Sequence, residues 1–285
     1  DTETIEKQGL EPLKPEFDRI AAIQTMDDVQ DQIAHFHMYG IGSLFGFFSS
    51  TDIKNSDMNI AHISQGGLGM SDKDYYLNDD ERTVEIREAY QDHLVKMFVL
   101  SGISEKEANE MSATIMKIET RLANASFSRL ENRDPHATYN KISQDEVAKL
   151  YPNFNWKRYM TSIGVDYDGD INVRQPKFFV EMNSILKDIN VEEWKDYFYW
   201  NLLDGTASYL TQAFQEQNFD FFGRTMQGSP EMRPRWRRVL GTTNRALGDA
   251  IGQKFSEKYF PAEAKERMVT LVNNLKTAYA QRIEK

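Results

Sequence analysis

Apolar positions in this chain recur mostly at helical spacing. Ser104 can cap a helix while Glu107, three residues on, reaches back, and behind it come Ala108, Met111, Ile115, Ile118, Leu122 and Ala125. Their alternation of three and four draws one stripe, which predicts a helix packed lengthwise against another. Pro261 opens a second stripe through Met268, Leu271, Val272, Leu275, Tyr279 and Ile283. Further helices are predicted around residues 14–23, 26–39, 80–101, 143–151, 175–188, 191–222 and 233–259, the longest broken near Gly205 and Gly223. Ser143 with Glu146, and Asn190 with Glu193, supply caps for two of them.

One region departs from this period. Ser43 to Ser49 and Asn59 to Gln65 are rich in Leu, Phe and Ile and flank a turn-forming run from Thr51 to Asp57. The predicted fold class is therefore mainly α, a multi-helix lobe with one small β-hairpin near residues 43–65. Pro, Gly and Asn clusters punctuate the helices, and neither an internal repeat nor a low-complexity linker marks a domain boundary.

At 285 residues the chain is long enough to bury a full core. Lys and Arg number 34 against 44 Asp and Glu, a net charge of −10, which argues against capture of nucleic acid or an anionic membrane. The lack of cysteine excludes disulfides, thiolate metal sites and thiol nucleophiles. No run of ~18 apolar residues is present, so no membrane-spanning segment is expected. The first residue is Asp1 rather than Met, and the sequence reads as a processed product or an excised piece.

Candidate chemistry is sparse. His35, His37, His62, His93 and His136 belong to no H-E-x-x-H frame, and on a helix His35 and His37 point about 200° apart, so structural roles are expected. Gly66-Gly67-Leu68-Gly69 lacks the Lys and Ser or Thr of a phosphate loop and reads as a sharp turn. Asp166, Asp168 and Asp170 start like a calcium loop, but Ile171 and Lys177 stand where Gly and a bidentate Glu are needed. Asp79, Asp80 and Glu81 complement a helix N-terminus. Trp194, Tyr197, Phe198, Tyr199 and Trp200 read as core. Arg233, Arg235, Arg237 and Arg238 surround Trp236, a cluster able to stack bases or clamp a carboxylate, for which a salt-bridged face is the expectation in so acidic a chain.

Several segments taken together resemble the neprilysin and endothelin-converting-enzyme family of zinc metallopeptidases. They are Leu44-Phe45, Asp52 to Ser56, His62 to Gln65, Gly67 to Gly69 and Asp74 to Tyr76, in that order and spacing. Leu122 to Ser126, Asn132 to Pro135, Tyr139 to Lys141, Trp236 to Arg238 and Arg245 to Phe260 continue the likeness, which runs from about residue 30 to the end. The resemblance is nearest to bacterial oligopeptidases. It implies a two-lobed, mainly helical enzyme whose zinc is held by the two His of H-E-x-x-H and a later Glu, with the intervening Glu activating water. None of these residues occurs here, so no catalytic or metal residue is assigned. The chain is expected to be an interior piece, the helical lobe over residues 1–285 that covers the cleft, with the zinc lobe elsewhere.

The resemblance offers Asn132, Arg133, Asp134, Tyr139, Asn140, Arg237 and Arg238 as structural or cleft residues. It implies zinc in the full-length enzyme and none in this chain, with peptide substrates and the catalytic lobe as partners. Absence of cysteine departs from the vertebrate members and points to a bacterial source, with periplasm, cell envelope or secretion favoured over cytoplasm. An exposed apolar patch is expected where the other lobe docks. The rival reading is a helical binding or scaffold module without protease activity. A glycan-processing enzyme would need two converging carboxylates. Pro135 biases Asp134 away from helical geometry, so the chain should turn there, with Arg133 and Asp134 knitting the turn to neighbouring helices.

Overall fold

The structure, a computed structural model, describes residues 1–283 and divides after Pro230 into two units. The first begins with α1 (Thr2–Gln8), α2 (Lys14–Ala21) and α3 (Met26–Met38), followed by strands β1 (Phe45–Asp52) and β2 (Asn55–Gln65). Next come α4 (Asp74–Leu77), α5 (Glu81–Leu100), α6 (Glu105–Ala125), β3 (Lys141–Ile142), α7 (Gln144–Leu150) and α8 (Trp156–Ser162). Strand β4 (Ile171–Val173), α9 (Pro176–Asp188), α10 (Val191–Thr206) and α11 (Gln212–Asn218) complete it. The second unit holds α12 (Arg235–Tyr259) and α13 (Ala262–Ile283).

The predicted caps explain where several helices start. Ser104 Oγ accepts the Glu107 N–H at 3.3 Å, and the stripe behind it, Ala108, Met111, Ile115, Ile118 and Leu122, is buried. Ser143 with Glu146 and Asn190 with Glu193 form full reciprocal boxes, and Asp80 caps α5 through the Thr83 N–H at 3.0 Å. The predicted long helix does break beside Gly205: α10 stops at Thr206, and Ala207–Tyr209 tightens into a 3₁₀ turn. Near Gly223 the winding instead widens, since Phe219–Thr225 is a π-helix.

The hairpin needs correcting in one respect, because it is half of a four-stranded sheet with order β1-β2-β4-β3. β1 and β2 pair antiparallel from Phe45 with Gln65, β2 and β4 run parallel, and β3 closes antiparallel on β4. Strands of two and three residues are too short to show alternation in a sequence. One face of the sheet sends Phe45, Ala61, Ile63, Ile171 and Val173 into the core.

That core is aromatic. Trp194, Tyr197, Phe198 and Trp200 of α10 are buried as expected, and Tyr199 stacks on Phe17 at 4.6 Å. In the second unit neither helix has a buried residue, and Trp236, Phe255, Leu271, Leu275, Tyr279 and Ile283 are among its exposed apolar side chains.

Candidate functional site on the polar face of the sheet

Paired residues in a sheet project to the same side, so the register lines up Phe48, His62, Asn172 and Lys141 in one row across all four strands. The Asn140 N–H donates to Asn172 Oδ1 at 2.6 Å, which orients that amide. Asn172 Nδ2 then donates to Thr138 O at 3.0 Å and to His62 Nδ1 at 3.1 Å. His62 therefore accepts at Nδ1, and its neutral ring carries the proton on Nε2, a tautomer assigned from the network. Burial pushes the imidazole pKa down and Arg174 adds to that, against the Ser50 carbonyl and Asp52. Phe48 lies flat on the ring at 5.2 Å.

Residues 127–141 run past the sheet and contact both of its faces. Asn132 Oδ1 accepts from Gln175 Nε2 at 2.7 Å, and Asn132 Nδ2 donates to Phe127 O at 3.2 Å. Gln175 Oε1 accepts the Gln65 N–H at 2.9 Å, while the Gln65 side chain brackets Phe127 by accepting its N–H and donating to its carbonyl. Asn132 thus sits in an amide network that joins the end of β2 to the start of α9. Asp52 is the ionic counterpart. Tyr139 Oη, Lys141 Nζ and the Lys54 N–H all donate to it at 2.9 Å, and the Lys141 contact leads in pulling its pKa down to about 2.

Of the predicted residues, Tyr139 and Asn140 therefore meet here, while Asn132 belongs to the amide network around Gln65 and Gln175. Arg133 and Asp134 do not join them; both are exposed. Asp134 Oδ1 accepts the His136 N–H at 2.8 Å and its carbonyl accepts from Thr138 Oγ1 at 2.9 Å, so the turn is knitted within itself rather than to neighbouring helices. Among the described residues the Arg133 side chain has no hydrogen-bond or ion-pair partner. Arg237 and Arg238 belong to the second unit. There the Arg237 guanidinium lies 5.1 Å over the Trp236 ring, and Arg238 Nε donates to Arg233 O at 3.1 Å.

Sequence reasoning missed a second polar centre. Glu119 is fully buried in α6, where it accepts from Tyr76 Oη at 2.8 Å, Tyr90 Oη at 3.0 Å and the Gly69 N–H at 3.1 Å. Burial pushes its pKa up to about 8, and Asp204 adds to that against its three donors. The available signal was position, since Glu119 lies four residues after Ile115 and three before Leu122, on the buried stripe. The glycine turn packs on this centre. A Cβ at Gly69 would lie 1.9 Å from Tyr90 Oη, and one at Gly67 (φ +71°) would lie 2.8 Å from Leu44 Cα.

The other buried and half-buried histidines are occupied structurally. His35 Nε2 meets Glu16 at 2.7 Å, and His37 bridges Tyr159 Oη at 2.6 Å and Ser43 O at 2.8 Å. His93, stacked on Phe221 at 5.1 Å, is held near pKa 3 by burial. Among the described residues no three His, Asp or Glu side chains come together as metal ligands, so the residues present do not fit a zinc centre.

The sequence profile of the N-terminal part of peptidase family M13 matches residues 1–285. The chain belongs to peptidase family M13. It is 30% identical over 267 residues to human endothelin-converting enzyme 1, an alignment covering 90% of this chain and 34% of that protein. The locust endothelin-converting enzyme homolog is 26% identical over 259 residues. This M13 chain therefore spans about a third of the length of the curated relatives it matches. The structure of Mycobacterium tuberculosis zinc metalloprotease Zmp1 in complex with inhibitor superposes with TM-score 0.92 at 31% identity, over 100% of this chain and 43% of that one. PepO from Lactobacillus rhamnosus, at 16% identity and TM-score 0.80, shares the fold.

Proposed function

We propose that this chain is the non-catalytic helical lobe of a zinc metalloendopeptidase, enclosing the cleft in which a separate lobe cuts peptides. Coverage carries this reading: the M13 match takes in residues 1–285, yet these align with only 34% of human endothelin-converting enzyme 1, and the sequence holds no H-E-x-x-H. The zinc ligands and the water-activating Glu then belong to the other lobe. This chain's part is to hold the peptide opposite the metal and to exclude folded proteins by size. The exposed apolar residues on α12 and α13 support a docking role toward that lobe.

The partners on this reading are peptide substrates and the catalytic lobe, with no role for nucleic acid. A bacterial source fits the lack of cysteine and the 31% identity to the mycobacterial protein, and the periplasm, cell envelope or exterior is the compartment proposed for it. No described helix is long and apolar enough to cross a membrane.

The test uses the full-length enzyme with a short peptide, the same cleavage site inside a folded domain, and that domain unfolded. Rapid cleavage is expected for the first, little for the second and restricted cleavage for the third. Equal rates on the peptide and the folded domain would overturn the lid role. A coding sequence without H-E-x-x-H beyond these residues would return the chain to the scaffold reading.

A further inference from the structure

Arg174 is a half-buried cation that meets a ring and no acceptor. Its own N–H donates to Ile63 O at 3.0 Å, which fixes the backbone just past β4. From there the side chain reaches back across β2, placing its guanidinium carbon 6.0 Å from the centre of the Phe48 ring on β1. Nε is buried without a partner, and among the described residues no carboxylate or carbonyl pairs with this side chain. Beside it, buried His62 is engaged by Asn172 on one side and by the Ser50 carbonyl on the other, and offers Arg174 no acceptor. Of the carboxylates on this side of the sheet, Asp52 is already occupied by three donors, and Asp170 lies close enough to act on Lys141 but makes no ion pair with Arg174. Nε, out of water without an acceptor, is a costly arrangement, while the two terminal nitrogens of this half-buried guanidinium stay open to a ligand. In a chain with 44 acidic residues, an arginine left this way points to an acceptor from outside.

β1 is the end strand of the sheet, and it is half-buried to exposed between its two buried ends. Such a strand offers free backbone N–H and C=O groups to a further extended chain. Phe48, 37% exposed, stacks on the His62 ring and lies between that ring's face and solvent-exposed β1.

We propose that the free edge of β1 and the Arg174 guanidinium together form a subsite for an extended peptide carrying a carboxylate. The peptide backbone pairs along β1 and the carboxylate bridges to Arg174. This rests on the peptide-handling role proposed above. The carboxylate belongs either to an acidic side chain or to the peptide's own terminus, and the test separates the two.

Isotope-labelled chain is titrated with acetyl-Ala-Glu-Ala-amide, with its Gln counterpart, and with acetyl-Ala-Ala-Ala bearing a free carboxyl group. The Arg174 Nε–H, the His62 ring and the backbone amides of residues 46–51 are followed by NMR. At least one carboxylate peptide should shift all three sets of signals and bind about tenfold more tightly than the Gln peptide; which one does so assigns the source. R174Q should reduce carboxylate binding to the Gln level while its remaining spectrum, unchanged, shows the fold intact. Equal binding of the Glu and Gln peptides, no shifts at all, or shifts at Arg174 without the β1 amides would each overturn the proposal. So would an R174Q full-length enzyme that loosens the association of its lobes but binds carboxylate peptides normally. The titration involves no cleavage, so its failure is distinguishable from failure of the lid role.

Discussion

Tyr76 Oη donates to Glu119 Oε2 at 2.8 Å while accepting the Met70 N–H, also at 2.8 Å, so one hydroxyl ties a loop amide to a fully buried carboxylate. Tyr90 and the Gly69 N–H complete a ring of donors around that group, and no ion pair reaches it among the described residues. Donors favour the charge, burial opposes it, and burial wins, with the pKa raised to about 8.

Stability should therefore depend on pH through Glu119. A carboxyl raised from 4.5 to about 8 contributes stability that is fully present below 4.5 and is lost as the pH rises through about 8. The slope in this window is at most ~1.4 kcal/mol per pH unit. Urea unfolding of the protein and of E119Q, from about pH 5 to about pH 9, measures it. The lead of the parent over E119Q is expected to shrink steadily with pH, and parallel curves would show that the group does not titrate there.

Asp52 has the opposite sign. Its pKa is lowered from 3.8 to about 2, so the stability it contributes is present above 3.8 and lost as the pH falls through about 2. D52N should unfold at a higher pH in acid titrations followed by tryptophan fluorescence. An unchanged acid midpoint would refute the role of the Lys141, Tyr139 and Lys54 contacts.

Two glycine substitutions should act in opposite directions. G69A drives a methyl to 1.9 Å from Tyr90 Oη and should cost at least the ~1–3 kcal/mol typical of overpacking. G248A in α12 meets nothing within 4 Å and should stabilise its helix by ~0.5–1 kcal/mol. Thermal unfolding of both variants decides; equal shifts would contradict the geometry.

Asn132 and Arg133 are neighbours with unlike burdens. N132A strands Gln175 Nε2, while the Phe127 carbonyl keeps its bond from Gln65, and should cost ~1–3 kcal/mol. R133A, at an exposed position, should stay within about 0.5 kcal/mol. A larger loss for R133A than for N132A in denaturant midpoints would reverse the assignment.

The sequence was most readable where one helix buries one stripe. Ser104, Ser143 and Asn190 announce their helices because a cap is a local bargain between a side chain and the amide three residues on. β3 and β4 were not legible, since their pairing depends on partners far along the chain rather than on any pattern of their own. The same holds for the site. Tyr139 and Asn140 were found through a motif, but His62 and Arg174 matter because the sheet register brings them beside Phe48. Arg133 was expected to knit helices together, and a charged residue two positions before proline does not reveal that its turn closes on itself.

The parallel pairing of β2 with β4 also has a kinetic side. His62 and Asn172 touch across 110 residues, with the five helices α4 to α8 between them, whereas β1 and β2 close through a tight local turn. Closing so long a loop is slow unless the intervening helices have already shortened it. The hairpin should consequently form early and stand as a template until β4 returns to it. In pulsed hydrogen exchange during refolding, the amides of Phe48 and His62, which face each other across the hairpin, should gain protection before that of Arg174, which donates to Ile63 O only once β4 has returned. On the ribosome, the row from Phe48 to Lys141 cannot exist until the chain has been synthesised past residue 173.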